Sequence, residues 1–242
     1  MNIRHEVIPF LIASAVTAGI IFAASRLSGV SGRTAAVSAG VFCIIACGYF
    51  VYFFRDPERT PLDVPGAVLA GADGKIAAIR NLSPEEFKSA APFHGLNDEQ
   101  VEMFLKPDVV RISIFLSLFD VHVNRAPISG KSKFLGYFPG KHFFTFQEKS
   151  SDVNQHNSIL ITGESTCCLL TQIVGPVCRR VVYWPDHEKE IPIRAGEKIG
   201  MMKFGSRLDM YFPRSDIRPT VKEGDSVAGG LDQIAEILQE KQ

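Results

Sequence analysis

KIGMMKFGSRLDMYF, residues 198–212, is a β-forming run broken at Phe204-Gly205-Ser206, and the meaning of that break governs the rest of the chain. One meaning is a turn between two strands, because Gly adopts dihedrals that other residues avoid. The other is chemical. A Gly-Ser bond sets an unhindered carbonyl beside a hydroxyl, so Ser206 Oγ can attack the Gly205 carbonyl and move the acyl group from nitrogen to oxygen. Elimination across Cα and Cβ of Ser206 then frees a Gly205 carboxylate. Hydrolysis of the dehydroalanine left behind gives a pyruvoyl group. That ketone can form a Schiff base with a substrate amine and accept the electrons released by decarboxylation, work done elsewhere by pyridoxal phosphate.

Outward from this stretch the texture is the same as far back as residue 67. Short β-type runs broken by Gly, Pro and Asp occur at AVLAGADGKIAAI (67–79), VVRISIFLSL (109–118), VHVNRAPISGKSKFLGYF (121–138), SILITG (158–163), STCCLLTQIV (165–174) and RRVVYW (179–184). They predict a predominantly β (α+β) domain. Gly-acid turns at 195–200 and 223–229 resemble those of small biotinyl-type barrels, and add the expectation of barrel or hammerhead-like β elements. Ser83-Pro84-Glu85-Glu86-Phe87 reads as a short helix with Ser as N-cap and Pro at the first helical position. Leu231, Ile234, Ala235 and Leu238 predict a helical tail.

Before residue 55 the composition is different. Residues 7–24 and 35–54 are uncharged and mostly apolar, each close to the roughly 20 residues that cross a hydrocarbon core. With the Gly- and Ser-containing spacer SRLSGVSGRT between them, they predict a hairpin of two hydrophobic helices, spanning or re-entrant, over residues 1–54. Arg4, Arg55 and Arg59 at the outer ends against Arg26 and Arg33 in the spacer lean toward cytoplasmic ends, which puts the domain 55–242 on the cytoplasmic side of a cell membrane. Proline-punctuated Arg55-Asp56-Pro57-Glu58-Arg59-Thr60-Pro61 marks the domain boundary.

Charge balances at 26 Lys+Arg against 26 Asp+Glu, which argues against nucleic acid as a partner. Cys43, Cys47, Cys167, Cys168 and Cys178 form no CxxC pair and are odd in number. They argue against a zinc knuckle and a disulfide framework, and no metal-ligand spacing stands out.

A Gly205-Ser206 bond that reacts needs a base and something to orient it. Alternation in Val121-His122-Val123 puts His122 on the face opposite two valines, and Asp73 in Gly71-Ala72-Asp73-Gly74 could hold its imidazole in one tautomer. Each has a plainer reading: Asp-Gly is a common hairpin turn, and a His beside apolar residues is often structural. PGKHFFTF (139–146) reads equally as a lipid-facing loop or a buried aromatic strand.

Gly71-Ala-Asp-Gly-Lys-Ile76, Phe119-Asp-Val-His-Val-Asn-Arg-Ala-Pro-Ile-Ser-Gly130 and Phe204-Gly-Ser-Arg-Leu-Asp-Met-Tyr-Phe-Pro213 together resemble, in order and spacing, the phosphatidylserine decarboxylases, in their short, archaeal-type branch. The resemblance implies decarboxylation of phosphatidylserine to phosphatidylethanolamine and CO2 in phospholipid biosynthesis, with no metal. It implies self-cleavage at Gly205-Ser206 into a membrane-associated β chain (1–205) and an α chain (206–242). These remain together as a heterodimer, with Ser206 becoming the covalent pyruvoyl cofactor and Asp73 and His122 as its processing partners. Where the longer branch has two histidines three apart, this chain has His122 and Arg125, so His122 is the candidate for self-cleavage, substrate protonation or both. Asn154 and Asn157 resemble the family's asparagine-bearing segment. Two readings compete: a pyruvoyl decarboxylase for another amine, and a membrane-tethered β-domain that binds lipid or a protein without catalysis. A higher oligomer is left open.

Overall fold

The computed structural model describes residues 2–176 and 181–238, and the chain divides into two compact units, Met1–Glu58 and Arg59–Gln242.

The first unit is the hairpin. Helices Ile8–Leu27 and Gly32–Phe53 run 20 and 22 residues, each about 30 Å or more at roughly 1.5 Å per residue. Pro9 sits in the first turn, where its missing N–H has no helical partner to lose. Ser31 caps the second helix by accepting from the Thr34 amide. Phe10 packs against Phe50 and Phe54 with ring centroids 5.1 Å apart, and Asn2–Ile3 pairs antiparallel with Arg55–Asp56 so that both outer ends meet. Ile12, Val16, Ile20, Ile44 and Ile45 point outward. Both helices are long and apolar enough to cross a membrane, with only 11% of each apolar window buried.

The second unit is built on an eight-stranded sheet, antiparallel throughout, in the order Ile191–Ile193, Gly130–Phe138, His156–Thr162, Cys167–Ile173, Ser206–Pro213, Val109–Leu116, Gly74–Leu82, Ser226–Val227. Two three-stranded sheets accompany it. One is Val181–Tyr183, Lys198–Met202, Val123–Arg125, and the other Ile217–Pro219, Gln233–Ile237, Ala67–Leu69. The strand beginning at Ser206 is central, and every one of its eight residues is buried. Alternation splits them. Leu208, Met210 and Phe212 enter the main apolar core with Ile112, Ile114 and Leu170. Arg207, Asp209 and Tyr211 enter the opposite side, where Tyr211 meets Phe87 and Phe104.

The short helix forms as expected, as Pro84–Ala90, with a full capping box between Ser83 and Glu86. Two expectations change. Residues 231–238 do not form a helix: Gln233–Ile237 is a strand held between Ile217–Pro219 and Ala67–Leu69. The spacing 231, 234, 235, 238 is helical, but two flanking strands with edges to satisfy claim this backbone, and of the four residues only Ile234 and Ala235 are buried. Among the described residues no closed barrel forms either, since the outer strands Ile191–Ile193 and Ser226–Val227 do not pair with each other. The stretch 139–146 is an irregular loop in which Phe144 and Phe146 are 54% and 62% exposed and stack at 5.4 Å. Val181–Tyr183 realises part of the run RRVVYW, whereas Arg179, Arg180 and Cys178 lie outside the described residues.

Candidate self-processing site

Lys198–Met202 and Ser206–Pro213 belong to different sheets, so the three residues between them must redirect the chain. They do so through two left-handed residues in succession, Phe204 at φ 54° and Gly205 at φ 67°. Phe204 is the one non-glycine residue with positive φ among the described residues, a conformation that costs an L-residue on the order of 1 kcal/mol or more. The strain sits on the residue immediately before the Gly205-Ser206 pair.

Ser206 is fully buried and its Oγ has no hydrogen-bond partner among the described residues. An orphan hydroxyl in a dry site forfeits a hydrogen bond that water would have given it, which suits a group held for reaction. The Gly205 carbonyl is engaged: Thr145 Oγ1 donates to it at 3.1 Å. Gly175 makes room for that carbonyl, since a Cβ there would lie 2.7 Å from Gly205 O.

His122 is also fully buried. Its Nδ1 lies 3.0 Å from the Asp120 carbonyl, and a carbonyl can only accept, so Nδ1 carries the proton and Nε2 is the basic nitrogen. The Met202 amide donates to the His122 carbonyl at 3.1 Å, and Val123 pairs with Met201, so the sheet fastens His122 to the segment leading into the cleavage site.

Asp73 stands differently. Its oxygens accept from Arg59 Nη1 and Nη2 at 2.5 and 2.7 Å and from the Gly229 amide at 2.8 Å. It makes no hydrogen bond to His122; the Asp120 carbonyl, not Asp73, orients the imidazole here. Arg59 also donates to the Gly229 carbonyl, so Asp73 and Arg59 tie residues before the Gly205-Ser206 bond to one after it. Arg125, where a second family histidine would stand, donates to the Gly196 carbonyl at 2.8 Å.

Beneath Ser206, on the charged face of its strand, lies a network that the motifs do not reveal. Arg207 Nε donates to Asp209 at 2.9 Å and its Nη2 to Glu148 at 2.9 Å, while Arg111 bonds Glu148 as well and reaches Asp152 at 3.5 Å. Burial pushes the Asp209 carboxyl up, but Arg207 and Arg111 beside it prevail and hold it below its ordinary range. Nearby His94 Nδ1 and His156 Nε2 are 3.2 Å apart. Burial, and then His156, drive the His94 pKa down to about 3, and burial likewise lowers His156. The sequence signal for the network is the pair Arg207 and Asp209, two charges at strand spacing in an apolar run. The pairing of His94 with His156 has no local signal.

An open groove of about 1550 Å³, lined among others by Arg59, Ser129, Lys131, Arg194 and Lys198, includes neither Ser206 nor His122. Among the described residues no cluster of three or more His, Cys, Asp or Glu is arranged to hold a metal.

A buried Ser206 behind a left-handed Phe204, a hydroxyl on the Gly205 carbonyl and a histidine fastened to the approach are the features expected of a self-processing class of protein. Comparison with known proteins agrees with this class. The sequence profile of the phosphatidylserine decarboxylases matches residues 48–235. The phosphatidylserine decarboxylase proenzyme of Prosthecochloris aestuarii is 38% identical over 189 residues, 78% of this chain and 77% of that one. That of Rickettsia africae is 37% identical over 226 residues, 92% and 90%, and that of Desulfotalea psychrophila 34% over 196 residues, 81% and 82%. The chain belongs to the phosphatidylserine decarboxylase family.

Proposed function

We propose that this chain is a proenzyme that cleaves itself between Gly205 and Ser206 and then decarboxylates phosphatidylserine to phosphatidylethanolamine and CO2. The observation that carries the reading is the Gly205-Ser206 bond itself: Ser206 buried, its Oγ unpartnered among the described residues, and the bond preceded by a strained Phe204. In processing, His122 Nε2 takes the Ser206 hydroxyl proton and Oγ adds to the Gly205 carbonyl carbon. Collapse breaks the C–N bond, and the Ser206 nitrogen leaves with a proton, giving the ester. Loss of the Ser206 Cα proton with breakage of the Cβ–Oγ bond releases residues 1–205 with a carboxylate at Gly205. The dehydroalanine at residue 206 takes up one water and loses one ammonia. The fragments 1–205 and 206–242 stay associated through the sheet, because the strand Ser206–Pro213 is hydrogen-bonded on both sides to strands of the first fragment.

The residues present fit a pyruvoyl group, since position 206 is buried and its side chain has no competing partner among the described residues. Such a group supplies an electrophilic carbonyl for the substrate amine and a sink for the electron pair released with CO2. His122, with Nδ1 committed to Asp120, has Nε2 to carry a proton to the substrate carbon. Asp73 enters the processing relay if its carboxylate exchanges Arg59 for the imidazole. In its present contacts it anchors residue 229 of the smaller fragment.

The two apolar helices support a membrane-borne substrate, and the arginine count at their ends supports a cytoplasmic catalytic domain. The purified protein in vesicles should convert phosphatidylserine and release CO2, and leave free serine unreacted. Turnover of free serine or another soluble amine, with none of the lipid, would favour the related-decarboxylase reading.

A further inference from the structure

Phe144 and Phe146 are exposed, yet Thr145 between them is turned inward and only 3% exposed. Its neighbours hold it there. Asn154 accepts from the Phe143 amide at 3.0 Å and donates to the Phe143 carbonyl at 2.8 Å and the Val174 carbonyl at 2.9 Å. Glu148, on the far side of Thr145, is bound by Arg207 and Arg111. Arg207 is the residue after Ser206, so the loop is pinned to the cleavage site itself. Gly175, next to Val174, leaves the space through which the Gly205 carbonyl meets the threonine hydroxyl.

We propose that Thr145 is a catalytic residue of self-cleavage: its hydroxyl polarises the Gly205 carbonyl and holds the negative charge that forms on that oxygen when Ser206 adds. The proposal rests on self-cleavage at this bond. As Ser206 Oγ bonds to the Gly205 carbon, the carbonyl π pair moves onto oxygen. The Thr145 O–H, already 3.1 Å away, tightens onto that charge without transferring its proton. When the tetrahedral centre collapses to the ester, the pair returns and the hydrogen bond relaxes. A donor fixed in place in a dry site needs no reorganisation as charge develops, and donors of this kind contribute rate factors of about 10² to 10³.

The test follows the fraction of full-length chain cleaved against time for wild type, Thr145→Val, Thr145→Ala, Thr145→Ser, Gly175→Ala and Ser206→Ala. Valine keeps the shape and removes the donor, and should slow maturation about 100-fold, as should alanine. Serine restores the hydroxyl and should mature close to the wild-type rate, which a packing role for the threonine methyl would not give. Gly175→Ala leaves Thr145 intact but puts a methyl 2.7 Å from Gly205 O, and should slow maturation by displacing the carbonyl. Thr145→Val or Gly175→Ala maturing within a few-fold of wild type, with Ser206→Ala uncleaved, overturns the role of Thr145 and leaves self-cleavage standing. Cleavage of Ser206→Ala overturns self-cleavage at this residue instead. If Thr145→Val fails to fold, Thr145→Ser and Gly175→Ala still decide the matter: a slow serine variant or a fast Gly175→Ala variant contradicts the proposal.

Discussion

Leu208, Met210 and Phe212 leave one face of the strand Ser206–Pro213 for an apolar core, while Arg207 and Asp209 leave the other for a set of buried charges. Both faces are excluded from water, but they do different work. Apolar contacts are non-directional and settle where the strand lies. Buried charges recover their desolvation only through particular partners in particular geometry. On this strand those partners are Arg111 from the neighbouring strand and Glu148 from the loop that carries Thr145. The apolar face therefore seats the reactive bond in the sheet, and the charged face selects the loop that closes over it.

Ser206 shares the parity of Leu208, so the ionic network lies on the other side of the sheet from its hydroxyl, and His122 is the base proposed for its activation. His122→Ala should block maturation. In a variant that still cleaves slowly, decarboxylation should fall by roughly two to four orders of magnitude. Normal cleavage with lost turnover, read by gel and CO2 release, would confine His122 to substrate protonation.

The faces themselves can be set against each other by chemical denaturation. Asp209→Asn leaves two buried guanidinium groups short of their counter-charge and should cost about 3–5 kcal/mol, with slower maturation because the loop loses its anchorage. Met210→Ala on the apolar face should cost about 2–5 kcal/mol and leave the maturation rate of the folded protein nearly unchanged. Equal effects on maturation from the two variants would break the distinction between seating and selection.

A smaller effect separates the faces by pH. The unfolded chain protonates its histidines below about 6.5, whereas His94, lowered to about 3, stays neutral in the folded protein. Stability from this site is complete above pH 6.5 and declines as pH falls, by about 2 kcal/mol at pH 5. Asp209, also lowered, adds its loss only as pH falls below the ordinary carboxylate range. Denaturation midpoints at pH 7.5 and 5 should show the decline, and His94→Phe should flatten it. The smallest effect is expected from deleting residues 1–54: membrane sedimentation should be lost while self-cleavage proceeds at its usual rate. A truncated protein that still pellets with vesicles would point to a second lipid-binding face, for which exposed Phe144 and Phe146 are the candidates.

These contrasts also explain what could be read from the residues beforehand. The apolar helices and the alternating strands were legible because period and length are local properties, as was the Ser83 cap. Gly205-Ser206 and His122 are singled out by motif spacing, and their roles stand as proposals. The strand Gln233–Ile237 is not legible because its apolar residues fall at helical spacing and the strands that claim it are distant in sequence. Thr145 and Glu148 escaped notice because they meet the cleavage site across 60 and 59 residues of chain. Asp73 is expected against His122, but Arg59, which the sequence offers as a boundary residue and a membrane-flanking charge, is its partner here.

The central claim is that Ser206 breaks its own bond to Gly205, and intact-mass spectrometry of purified wild type and Ser206→Ala tests it most directly. Wild type should yield two fragments, 1–205 with a free carboxylate and 206–242 starting in a pyruvoyl group, their summed mass differing from the precursor by one water gained and one ammonia lost. Ser206→Ala should remain a single full-length chain. A wild-type protein that stays intact, or an alanine variant that divides at the same bond, would contradict the account.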